Sequence, residues 1–63
     1  MSETAQQIAD AFATWQAEDE KFVIGNSAAG TRARKALQEI TKLAKSRRAE
    51  ISEEKTARKE AKA

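Results

Sequence analysis

Two stretches of three-and-four spacing, with one strong breaker between them, constrain this chain more than any other feature. Ala5, Ile8, Phe12, Trp15, Asp19 and Phe22 recur at intervals of three and four residues, and so do Ala33, Leu37, Ile40, Ala44, Arg47 and Ile51. Such spacing gathers each set on one face of an α-helix. Between them stands Gly25-Asn26, whose residue types both tolerate positive φ and end helices well. The chain has no proline, and no glycine after Gly30. Nothing therefore stops the second helix before its polar end.

These signals predict a first helix over about residues 3–23, capped by Ser2, then a turn over 24–26. A second helix, capped by Asn26 or Ser27, runs over about 27–58 and frays through the polar stretch that ends at Ala63. At 1.5 Å per residue the helices measure about 31 and about 48 Å, so the second overhangs the first. A short connector and one apolar stripe on each helix predict an antiparallel two-helix hairpin, all-α, in a single domain spanning residues 1–63. Phe22 and Val23 should meet Ala28, Ala29 and Ala33 near the hinge, while Phe12 and Trp15 meet Leu37, Ile40 and Leu43. Ala29, Ala36 and Leu43 widen the second stripe.

A chain of 63 residues buries too little apolar surface to be comfortably stable alone. It has no cysteine and no histidine. Disulfides and Cys/His zinc sites are thereby excluded, which leaves oligomerisation as the route to added stability. Ile51 has no partner inside a hairpin. Pairing two hairpins into a four-helix bundle or coiled coil would cover it together with Trp15 and Leu43, so a homodimer is expected. The expected core and dimer residues are Ile8, Phe12, Trp15, Phe22, Ala33, Leu37, Ile40, Leu43, Ala44 and Ile51.

Catalysis has almost no candidates. Without His or Cys there is no hydrolytic triad and no thiol nucleophile, and two helices do not readily form a cleft for paired carboxylates. Glu18-Asp19-Glu20 lacks the alternating oxygen ligands and glycine of a calcium loop, so it reads as a solvated acidic face. The glycines of Gly25-Asn26-Ser27-Ala28-Ala29-Gly30 have P-loop spacing, but Thr31-Arg32 follows in place of Lys and Ser or Thr, and no strand precedes. The expectation is a protein that is not an enzyme, with no cofactor, no metal and no small-molecule substrate. Neither a signal-peptide pattern nor a bilayer-length apolar run is present, which predicts a cytoplasmic protein without membrane attachment.

Charge is distributed unevenly. Residues 1–24 hold five acids and one lysine, a net of −4; residues 25–50 hold seven cations and two acids, a net of +5. At 100° per residue, Arg34, Lys35, Lys42 and Lys45 fall opposite the apolar stripe, with Gln38 and Thr41 among them and Arg48 at the edge. A polar strip of this kind can follow a phosphate backbone, with Thr31 or Thr41 as neutral hydrogen-bond donors. Arg32 and Arg47 lie closer to the apolar edge. They either face the polyanion or pair with Asp19 and Glu18. Phe12 and Trp15 sit on the heptad seam, where core packing outweighs base stacking.

The segment Gly25-Asn26-Ser27-Ala28-Ala29-Gly30-Thr31-Arg32-Ala33-Arg34-Lys35-Ala36-Leu37, continuing to Ile40, Leu43 and Ala44, resembles the bacterial and phage histone-like proteins of the chlamydial linker-histone type over about residues 18–55. The resemblance implies a small helical nucleoid protein that binds and compacts double-stranded DNA with little sequence preference. Carried onto this chain, its DNA-binding residues are Thr31, Arg32, Arg34, Lys35, Lys42, Lys45, Arg47 and Arg48. Members often carry a long lysine- and alanine-rich tail, whereas this sequence stops at Ala63 with a nearly balanced end; contact is then expected from the helical strip, doubled by dimerisation. The competing expectation is a coiled-coil adaptor whose acidic and basic helices satisfy each other. A basic amphipathic helix on a membrane is disfavoured, because its apolar face is needed for folding.

Overall fold

The computed structural model describes residues 2–62, with side chains through Lys59. Met1 and Ala63, which the expected single domain includes, lie outside the described residues, as does the last residue of the expected fray. Two helices account for the fold, α1 over Glu3–Val23 and α2 over Ser27–Lys62, with no strand among the described residues. Their termini follow from local chemistry. The Ser2 hydroxyl accepts from the Ala5 backbone N–H at 3.0 Å, which satisfies one donor that the first turn leaves open.

α1 closes in a Schellman arrangement. Gly25 has φ +115°, its N–H donates to Phe22 O, and the Asn26 N–H donates to Lys21 O, both at 3.0 Å. Asn26 then turns to the next helix, its Oδ1 accepting from the Ala29 N–H at 3.1 Å. Of the two candidate caps for α2, Asn26 is thus the one used. α2 continues four residues past the expected end at 58, since no breaker intervenes and Arg58 pairs with Glu54 at 2.7 Å.

The helices form an antiparallel hairpin 57 Å long and 16 by 14 Å across. Its inner seam repeats at four and three residues on both sides: Thr4, Ile8, Ala11, Trp15 and Glu18 on α1, and Ala29, Ala33, Ala36, Ile40, Leu43, Arg47 and Glu50 on α2. Only the three alanines are buried, at 0, 4 and 7 % exposure. Small side chains let the backbones approach near the hinge. Gly30 takes this furthest, for a Cβ there would stand 2.6 Å from Cδ1 of Phe22, whose ring lies over it.

The seam corrects the expected one. Phe12, Phe22, Leu37 and Ile51 are 43–51 % exposed, Ala44 is exposed, and Val23 and Ala28 do not enter the hinge packing. Phe12 meets Trp15 along its own helix, with ring centroids 5.5 Å apart, while its expected partner Leu37 stays half in solvent. The physical reason is that two helices bury two positions per heptad. Both stripes here are three positions wide, and over the half nearer the hinge α2 turns its alanines inward, leaving Phe12, Phe22 and Leu37 about half exposed. Ile8, Trp15, Ala33, Ile40 and Leu43 do lie in or on the seam.

Candidate nucleic-acid interface

Because Ala29, Ala33, Ala36, Ile40 and Leu43 occupy the face of α2 turned to α1, the residues half a turn away are held outward. Thr31, Arg34, Lys35, Gln38, Lys42, Lys45 and Arg48 are all exposed. Thr31, Arg34, Lys35 and Gln38 line one shallow notch of about 180 Å³ at the hinge end of this strip. Among the described residues, Arg34, Lys35, Lys42, Lys45 and Arg48 take part in no ion pair. Five cations thus share one side of one helix with no carboxylate holding them. Thr41 joins the strip only as bulk, since its hydroxyl donates to Leu37 O at 3.0 Å.

The two doubtful arginines are placed elsewhere. Arg32 Nε donates to Glu18 Oε2 at 2.6 Å, which ties α2 to α1 beside the hinge. Arg47 lies on the seam and donates to Glu50 Oε1 at 2.9 Å, while the Thr4 hydroxyl donates to the other oxygen of Glu50. A polar clasp therefore closes each end of the hairpin. The Arg32 hydrogen bond, with Lys21 assisting, holds the Glu18 carboxyl below its ordinary range. The Thr4 hydroxyl, then Arg47, does the same for Glu50.

Thr4 and Glu50 were not visible as functional positions in the sequence. The signal that could have found them is the four-and-three repeat from Thr4 to Glu18, which polar residues at both ends obscure. Across the molecule from the basic strip, α1 exposes Glu3, Asp10 and Glu20. The hairpin is accordingly polarised through its narrow dimension, basic on the α2 side and acidic on the α1 side. A polyanion is attracted to one edge and repelled by the other.

The model of the histone H1-like protein Hc1 family matches residues 2–57, a span that takes in α1, the hinge and most of α2. The chain belongs to that family. Hc1 proteins are histone H1-like DNA-binding proteins of the nucleoid, and the exposed lysines and arginines of α2 are of the kind such binding requires. The match reaches well beyond the basic segment, including the acidic α1 that positions it. No curated protein and no solved structure matches the chain. No helix among the described residues is long and apolar enough to cross a membrane.

Proposed function

We propose that this protein is a non-enzymatic, sequence-tolerant binder of double-stranded DNA that lays the outer side of α2 along the phosphates. The observation that carries this reading is the set of five cations on that side with no acid paired to them. Thr31, Arg34, Lys35, Lys42, Lys45 and Arg48 make the contacts; Arg32 and Arg47 serve them by holding the hairpin. Base reading has little to work with, as Gln38 is the one amide on the strip. The working unit is a homodimer, which doubles the charged surface, and its place is the nucleoid of the cytoplasm.

Titration of unrelated duplexes across a salt series tests the reading. Each phosphate neutralised adds about 0.9 to the slope of log affinity against log salt, so five cations predict a slope of about −4 to −5 per hairpin. Replacing Lys35, Lys42 and Lys45 together by Gln should lower that slope by about 3 and weaken all sequences equally. Unequal weakening would mean that bases are read. Absence of any complex at low salt would leave the hairpin as a protein-binding adaptor, with its exposed apolar flank as the surface of interest.

A further inference from the structure

The five unpaired cations of α2 are not spread evenly over its outer side. Seven-residue steps set Arg34, Thr41 and Arg48 in one row and Lys35 and Lys42 in another, about 100° away around the helix. Thr31, Gln38 and Lys45 fall between the rows. The relief is visible at the hinge end, where Thr31 and Gln38, with Arg34 and Lys35 to either side, line the notch of about 180 Å³. Two basic rims thus border a floor whose one charge is Lys45.

Acids bound this relief on both flanks. Beyond Arg34, Asp19 joins Gly30 and Leu37 in a groove of about 390 Å³ between the helices; beyond Lys35, Glu39 lines the opposite flank with Ala11 and Ala36. Neither acid is in an ion pair among the described residues. Phosphates are therefore repelled from the flanks and confined to the two rows. Each row stands about 50° to one side of the outward direction, so one flat backbone meets one row and leaves the other in water. Both rows are used only where phosphates lie on two sides of α2.

The major groove of B-form DNA has that shape. It is about 12 Å wide with a backbone along each rim, against about 6 Å for the minor groove, and an α-helix with its side chains is about 10–12 Å across. The major groove of A-form RNA is too deep and narrow for side chains to read. We propose that α2 enters the major groove of B-form DNA from Arg34 to Arg48, about 21 Å of helix, with the arginine row on the phosphates of one strand and the Lys35 and Lys42 row on those of the other. α1 follows behind, which keeps its acids from the phosphates. Thr31 and Gln38 meet base edges without a second amide to fix a sequence, and the flexible Lys45 meets the acceptors that line the groove. This placement rests on the DNA-binding reading and adds to it the groove and the form of the duplex.

Three duplexes of one sequence, each titrated with the full chain across a salt series, test the placement: plain DNA, DNA whose cytosines carry a glucosylated 5-hydroxymethyl group, and RNA. The glucose fills the major groove and leaves the phosphates as they were. Plain DNA should bind most tightly, and the salt slope on the other two should be shallower by about 2, because one row loses its phosphates. Arg34→Gln with Arg48→Gln, and separately Lys35→Gln with Lys42→Gln, should each lower the slope on plain DNA by about 2. On glucosylated DNA either row can serve alone, so each pair should change the slope by less than about 1. All four residues are exposed, and helicity by circular dichroism should hold in both variants. Equal binding of plain and glucosylated DNA, RNA bound as tightly as plain DNA, or row variants that act alike on both DNAs overturn the major-groove placement and leave the DNA-binding reading standing. If plain DNA forms no complex at low salt, both fall together.

Discussion

Residues 27–50 of α2 and its overhang from Ile51 to Lys62 belong to one unbroken helix, yet they use charge in different ways. The packed part carries seven cations and two acids; the overhang carries four cations and three acids, with Arg58 tied to Glu54 at 2.7 Å. In the packed part, contact with α1 fixes the rotation of the helix about its own axis. Five of its seven lysines and arginines then share a direction. Beyond the Thr4–Glu50 contact there is no α1 opposite, and Glu53, Glu54, Lys55, Arg58 and Lys59 are all exposed on a helix without an inner face. A basic run becomes a basic surface only where a scaffold orients it.

The same kind of substitution should have its largest effect in the packed part and almost none in the overhang. Ala33 is buried at 4 % exposure on the alanine seam, and Ala33→Leu forces the helices apart at a cost of about 1–3 kcal/mol. A single core in so small a domain supplies about 3–5 kcal/mol. Thermal unfolding followed by circular dichroism should therefore show a large drop in midpoint. Ala57→Leu in the overhang meets no opposing helix and should stay within about 0.5 kcal/mol of wild type. Equal effects would mean that the alanine seam does not hold the hairpin together.

Much of this was legible in the sequence, and the part that was not has a definite cause. Both helix starts, the hinge and the outward course of Arg34, Lys35, Lys42 and Lys45 follow from local rules: capping, glycine conformation and the 100° step. The rotation of each helix toward its partner is not local. Phe12 and Leu37 look like seam residues because they are large, yet the pair closes on Ala11, Ala29, Ala33 and Ala36, where backbones approach more closely. A stripe three positions wide leaves two ways to choose the inner pair of positions, and the sequence of one helix alone does not choose. Arg32 and Arg47 were ambiguous for the same reason: each sits within one helical step of the boundary between seam and strip.

A smaller effect separates the clasped part of the hairpin from its outer surface by pH. Glu18 is held below its ordinary value of 4.5 chiefly by Arg32, and Glu50 chiefly by the Thr4 hydroxyl. A carboxyl with a lowered folded-state pKa adds stability that is fully present above the unfolded value and is lost as pH falls through the folded one. The unfolding midpoint should thus hold steady down to about pH 5 and decline below about pH 4.5. Glu18→Gln with Glu50→Gln should start from a lower midpoint at neutral pH and decline less on acidification. An unchanged acid profile in that double variant would assign the decline to other carboxylates and remove the clasps from the account.

Gly30→Ala should give the smallest change, because two effects of similar size oppose each other there. Alanine in place of this glycine, the fourth residue of α2, gains at most about 0.8–1.0 kcal/mol of helix propensity. The new methyl would stand 2.6 and 2.9 Å from Cδ1 and Cε1 of Phe22, so the ring must swing away. That ring is already 51 % exposed, and displacing it forfeits about half the value of a buried phenylalanine, about 1 kcal/mol. The net should lie within about 0.5 kcal/mol of zero. Ala49→Gly on the exposed side of α2 supplies the reference, since it should lose the propensity term alone, about 1 kcal/mol. Subtracting one from the other measures how much the ring contributes by lying over Gly30. If Gly30→Ala stabilises by the full propensity gain, the Phe22 contact contributes nothing and the hinge end is held by Arg32 and the alanines. If it destabilises by more than about 1 kcal/mol, the ring has no room to move, and the close approach of the two helices at Gly30 is what sets the shape of the groove beside it.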